Sequence, residues 1–172
     1  MLEKGLFMKA KNYREVKGQP YTRKEYIRGS PPPKITKFTM GDTKTTFPIH
    51  ATLIAGEEAQ IRHNALEAAR VASNRVLSAK LGNAYVLRIV PYPHTILREN
   101  KMIFGAHADR LSQGMRRAFG KPIGAAARVK IGQSIIEVGV NETAVEVAKE
   151  ALERGKDKLP IPCRIVIEKV PN

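Results

Sequence analysis

The stretch Ala125-Ala126-Ala127-Arg128-Val129-Lys130-Ile131-Gly132-Gln133-Ser134-Ile135-Ile136-Glu137-Val138-Gly139-Val140 decides how the chain is read. Two runs rich in small and β-branched residues, 125–131 and 134–140, flank Gly132-Gln133, which predicts two strands joined as a tight hairpin. The period then changes. Asn141 is placed to cap a helix, Glu142 and Glu146 lie near its positive end, Ala144, Ala148, Ala151 and Leu152 recur as a buried stripe, and Gly155 is placed to stop it. Residues 163–170 read as a last strand, with Cys163 as a small buried strand residue.

Working outward, residues 85–90 predict a strand that Pro91-Tyr92-Pro93 interrupts and 94–97 resume. Residues 57–81 predict a long helix. Its apolar positions Ile61, Ala65, Ala68, Ala72, Val76 and Ala79 are three or four apart, Glu57 and Glu58 suit its N-terminus, and Gly82 suits its C-cap. Arg62, Arg70 and Arg75 mark the opposite stripe, where they could reach a polyanion or simply be solvated. Upstream, 34–40 and 47–55 read as strands with a turn at Gly41-Asp42. Strand, strand, helix, strands, hairpin, helix, strand is the order of an α+β domain, with a mainly antiparallel sheet and two helices on one side.

Charge divides the chain differently. The 172 residues carry 30 Lys plus Arg against 16 Asp plus Glu, a formal charge of +14. Residues 1–37 hold ten Lys or Arg and three acids, net +7, and residues 98–130 hold eight and two, net +6. Cations kept for solubility could lie anywhere on the surface, so their concentration in two segments points to a polyanionic partner. The same two segments lack regular periodicity. Residues 1–34 read as a basic extended arm ending in Pro31-Pro32-Pro33, and 35–172 as a globular domain interrupted by a long basic loop at 98–124. Both irregular segments are expected to be mobile until a partner orders them.

Candidate contacts follow from residue type. In the arm these are Tyr13, Arg14, Tyr21, Arg23, Lys24, Tyr26 and Arg28, pairing cations for phosphates with flat rings for bases or sugars. Each tyrosine could equally pin the arm to its own domain. In the loop, Arg98, Lys101, Arg110, Arg116, Arg117 and Lys121 supply charge, and Phe104 and Phe119 could stack on bases or tuck into the core.

Catalytic readings fail on spacing. Five residues rather than four separate Gly114 from Gly120, and Pro122 stands where a phosphate loop needs Ser or Thr. His107, Asp109 and Ser112 crowd into one loop that no rigid scaffold holds. A single cysteine and four scattered histidines offer no zinc spacing, so neither metal nor cofactor is expected. No apolar run is long enough to span a membrane and no secretion leader is legible in 1–8, which predicts a soluble cytoplasmic protein.

Several motifs in fixed order carry a resemblance. Leu97-Arg98-Glu99-Asn100-Lys101-Met102, Ala108-Asp109-Arg110-Leu111, Gln113-Gly114-Met115-Arg116 and Ala118-Phe119-Gly120-Lys121-Pro122 resemble the large-subunit ribosomal protein ten-e family of archaea and eukaryotes, counterpart of bacterial large-subunit protein sixteen. The likeness extends to Pro20-Tyr21-Thr22-Arg23, Glu25-Tyr26-Ile27-Arg28-Gly29 and Asn64-Ala65-Leu66-Glu67-Ala68-Ala69-Arg70, covering most of 9–170. It implies an α/β hammerhead fold and a non-enzymatic constituent of the large ribosomal subunit. The implied partners are large-subunit ribosomal RNA, the tRNA acceptor region and neighbouring ribosomal proteins. It further implies that residues 98–121 reach towards the peptidyl-transferase centre, and that the source is archaeal, with Met1 or Met8 as initiator. The alternative is a free-standing RNA-binding or RNA-chaperone protein using the same arm and loop.

Overall fold

In the computed structural model, residues 15–16, 18–100, 105 and 120–169 are described. Their strands are β1 (Thr39–Gly41), β2 (Ile49–Ala55), β3 (Ala59–Arg62), β4 (Val86–Ile89), β5 (Thr95–Glu99), β6 (Lys121–Val129), β7 (Ser134–Val140) and β8 (Cys163–Lys169). The helices are α1 (His63–Leu81) and α2 (Val145–Lys156). The α+β class and the antiparallel pairing are as expected, but the strands form two sheets. A five-stranded sheet has the order β1-β4-β7-β2-β8, and a three-stranded sheet the order β3-β6-β5.

Three connections correct an expectation, and two of them carry the chain from one sheet to the other. Residues 125–140 do not form a hairpin: β6 pairs with β3 and β5, while β7 pairs with β2 and β4. The Gly132 turn is drawn to β2 instead, its N–H donating to the Ala55 carbonyl at 2.9 Å while the Ala55 N–H donates to Gln133 O at 2.9 Å. Gly132 turns with φ 81°, a left-handed conformation that suits a residue without Cβ. Likewise, Pro91-Tyr92-Pro93 does not interrupt one strand but passes from β4 in the large sheet to β5 in the small one. Gly41-Asp42 makes the expected turn, where Asp42 Oδ1 accepts the Lys44 N–H at 2.9 Å, yet β1 pairs with β4 rather than β2.

The first helix starts later than its periodicity implied. Residues 59–62 are strand β3, whose Ala59 and Ile61 point into the core opposite Val129 and Ala127 of β6. Ladder pairing and burial here outweigh a helical pattern. Arg62 occupies the N-cap and no acid lies in the first turn, so Glu57 and Glu58 do not serve the helix dipole. The buried face is His63, Leu66, Ala69, Ser73 and Leu77, rotated from the alanine stripe read in sequence. Gly82 caps the helix at φ 62° as expected.

Asn141 precedes a 3-10 turn, Glu142–Ala144, without a side-chain cap bond, and α2 begins at Val145. Gly155 does not end α2. It lies within the helix and lets α1 approach closely: a Cβ there would collide with Ser73 Oγ and sit 3.1 Å from Ile136 Cδ1. The Ser73 hydroxyl donates to the Ala151 carbonyl across the same seam at 2.9 Å. Ala148, Ala151 and Leu152 are fully buried with it. One continuous core joins both helices to Ala51, Leu53, Leu87, Ile136 and Val138 of the large sheet and to Ile61 and Val129 of the small one. Cys163 is buried at the start of β8, and burial pushes its thiol up to about 11, the chemistry of an inert structural cysteine. Among the described residues, no helix is long and apolar enough to cross a membrane.

Candidate nucleic-acid interface

The described part of the arm is a strap laid across the small sheet. Gln60 of β3 donates from Nε2 to the Glu15 carbonyl at 2.9 Å, Arg128 of β6 from Nη1 to the Gly18 carbonyl at 2.8 Å, and the Ile96 N–H of β5 to the Tyr21 carbonyl at 2.8 Å. Those three strands are β3, β6 and β5 in spatial order, so the arm crosses one strand with each bond. It then makes a 3-10 turn, Lys24–Tyr26, buries Ile27 and Ile35, and is fastened again where the Lys34 N–H donates to His63 Nδ1 at 2.8 Å. An extended arm was expected, and of the two readings open for its tyrosines Tyr21 takes the one that pins it to its own domain. The carbonyls that an extended chain leaves unpaired find donors on the sheet, and two isoleucines supply apolar anchorage.

His63 joins the strap to α1. Its acceptance of a backbone N–H at Nδ1 requires that nitrogen to be unprotonated. Burial, then the charges of Arg62 and Lys34, hold its pKa below the ordinary 6.5. The unfolded chain therefore takes up the proton first, and stability present above pH 6.5 is lost as the pH falls through the folded value. Thermal unfolding between pH 7 and 5 is expected to show this loss, and His63→Phe to flatten that part of the profile while lowering stability at pH 7 through the unpaired Lys34 N–H.

The strap sets out the arm candidates. Arg23, Lys24 and Arg28 are exposed, and Tyr26 is 74% exposed beside buried Ile27. Tyr21 is different: its ring lies under the Arg98 guanidinium, 4.4 Å from the ring centroid to Cζ, so it faces its own chain. Lys24 Nζ stands 5.9 Å from the Tyr92 ring centroid. Tyr92 in turn stacks on Phe38 at 5.3 Å and meets His94 at 4.6 Å. This aromatic ladder was missed in the sequence, although an aromatic between two prolines, Pro91-Tyr92-Pro93, was a signal for a ring held on extended backbone.

Arg98 and Lys121 belong to strands β5 and β6 rather than to the loop expected at 98–124. Glu99 stands opposite Lys121, and Arg98 opposite Pro122, after a register shift between Leu97 and Arg98. The ladder thus shortens the irregular segment at both ends. Gly120 permits close approach there, since a Cβ would strike the backbone of Glu99 and Asn100. Both cations are exposed at the root of the segment they were assigned to. Tyr13, Arg14, Lys101, Arg110, Arg116, Arg117 and Phe119, with Phe104 and the rejected His107, Asp109 and Ser112, lie outside the described residues. Among the described residues, no group of His, Cys, Asp and Glu is arranged to hold a metal ion.

The arrangement is cations and rings around the edge and root of a small sheet, chemistry suited to phosphate neutralisation and base contact. Comparison with known proteins bears on the same segments. The chain is 55% identical over 160 residues to the large ribosomal subunit protein uL16 of Staphylothermus marinus, covering 92% of each. It is 56% identical over 149 residues to that of Hyperthermus butylicus, covering 86% of this chain and 83% of the relative. It is 53% identical over 152 residues to that of Archaeoglobus fulgidus, covering 88% and 87%. The family model for ribosomal protein L16p/L10e matches residues 16–166, strap, both sheets and the basic segment included, and the chain belongs to that family.

Proposed function

We propose that the protein is a structural constituent of the large ribosomal subunit that binds ribosomal RNA and helps form the surroundings of aminoacyl-tRNA near the peptidyl-transferase centre. It contributes no catalytic group. Its partners are large-subunit RNA, the acceptor region of tRNA and neighbouring ribosomal proteins. The chain comprises an arm at 1–34 and a body at 35–172 whose RNA-contacting segment is 98–124. Family membership carries it, and the strap and cationic strand ends supply the physical means.

The mechanism is electrostatic. Folded RNA crowds phosphates together, and Arg98, Lys101, Arg110, Arg116, Arg117 and Lys121 neutralise that repulsion, while Arg14, Arg23, Lys24 and Arg28 act from the arm with Tyr13 and Tyr26. Phe119 is assigned to stacking on an unpaired base. If about six phosphates are neutralised, the logarithm of affinity for large-subunit RNA falls with log salt at a slope of roughly −4 to −5. Replacing Arg110, Arg116 and Arg117 together by Ala is expected to reduce that slope by about 2 to 3 and to lower occupancy of large subunits, with the melting temperature unchanged. Unchanged occupancy and tRNA binding reject the proposal. Sedimentation of the protein away from large subunits favours a free-standing RNA chaperone instead.

A further inference from the structure

We infer that Tyr21 is a positioning residue rather than an RNA contact: it ties the strap to β5 and holds the Arg98 guanidinium in place for an anion. The inference rests on the proposed role of Arg98 as a phosphate contact. Three observations meet at this point. The Tyr21 carbonyl accepts the Ile96 N–H at 2.8 Å, which fixes the tyrosine backbone against the edge of β5. Its ring reaches along that edge to Arg98, two residues further, with Cζ 4.4 Å from the centroid. The ladder between β5 and β6 shifts register between Leu97 and Arg98, where pairing runs from Leu97–Gly124 to Arg98–Pro122 and skips Ile123. The extra residue, Ile123, belongs to β6, and the guanidinium of Arg98 lies on the strap where the ladder is disrupted.

The chemistry explains why a ring serves better than a carboxylate. An acid beside Arg98 would cancel the charge that phosphate needs. An aromatic face instead holds the guanidinium by its quadrupole and leaves the in-plane N–H donors open to an anion. A long exposed arginine otherwise gives up rotamer freedom on binding, and a ring that already restrains it lowers that cost. Tyr21 thereby lets the arm affect RNA affinity without touching RNA.

The test uses the full chain, with large-subunit ribosomal RNA transcript as probe, and compares Tyr21→Leu, Tyr21→Phe and Arg98→Met with the double variant Tyr21→Leu/Arg98→Met. Tyr21→Leu is expected to weaken RNA binding by about twofold to fivefold, and Tyr21→Phe to bind as the unaltered protein does. In the Arg98→Met background, Tyr21→Leu is expected to cost nothing further, because a positioning role disappears with the group positioned. In the RNA-free protein, the Arg98 side-chain proton resonances are expected to carry a ring-current shift that Tyr21→Phe keeps and Tyr21→Leu removes. Equal losses from Tyr21→Leu in both backgrounds would overturn the inference, since Tyr21 would then be touching RNA itself. Arg98 protons without a ring-current shift in the unaltered protein would overturn it too. Failure of the unaltered protein to bind the transcript would instead count against the proposed function, and the RNA-free spectra then decide the Tyr21–Arg98 pairing alone.

Discussion

Gly155→Val is expected to lower folding stability by about 3 kcal/mol, read as a shift in the denaturant midpoint at unchanged m-value. The added Cβ collides with Ser73 Oγ and presses on Ile136 Cδ1 at 3.1 Å, and the valine methyls need space that the seam between α1 and α2 does not have. Ser73 is fully buried, so displacing its hydroxyl also disturbs the 2.9 Å bond to Ala151 O and leaves a polar group unpaired in an apolar seam. Helix propensity acts the other way, because glycine inside a helix is unfavourable by roughly 1 kcal/mol relative to alanine. Packing outweighs it. A companion Ser73→Ala/Gly155→Ala variant removes the colliding hydroxyl and is expected to recover most of the lost stability; stability equal to the unaltered protein in Gly155→Val would refute the close approach.

Gly120→Ala is expected to weaken binding to large-subunit RNA by about tenfold while lowering the melting temperature by only a few degrees. A methyl group at this position meets the backbone of Glu99 and Asn100, which cannot rotate away as a side chain can. The ladder must open between Glu99 and Lys121, and both exposed cations that flank the opening, Arg98 and Lys121, lose their registered positions. The core lies elsewhere, in Leu53, Leu66, Ile136, Leu152 and their neighbours, so global stability is largely spared. Salt titration separates the causes: misplaced cations reduce the slope, whereas simple unfolding lowers the active fraction at every salt concentration.

Elements were easier to read than their partners. The α2 stripe of Ala148, Ala151 and Leu152 emerged directly from spacing, because the other positions of that helix are mostly charged. The face of α1 did not. Alanines lie all around that helix, at 65, 68, 69, 72 and 79, and two buried positions, His63 and Ser73, are polar. Periodicity cannot choose a face when apolarity is nearly uniform and the buried polar groups take partners far along the chain. Residues 59–62 are ambiguous for a related reason: Ala59 and Ile61 satisfy a helical stripe as well as a strand, and only pairing with β6 decides between them. In the interface, residue type marked Arg98 and Lys121, but nothing in their sequence placed them on strands.

By itself, the sequence determined composition-level and local properties: the α+β class, the helices and most strands, the concentration of cations in two segments, and the order of motifs that mark the family. These depend on side-chain chemistry and near-neighbour spacing, which one dimension records. The tertiary structure alone decided which strands share a sheet, that the Gly132 turn joins two sheets, that the arm docks as a strap, and that Tyr21 meets Arg98. Each of these is a pairing between residues distant in the chain. Such pairings are selected by the burial and hydrogen bonding of the whole molecule, where several local choices are nearly equal in energy and only their joint arrangement separates them.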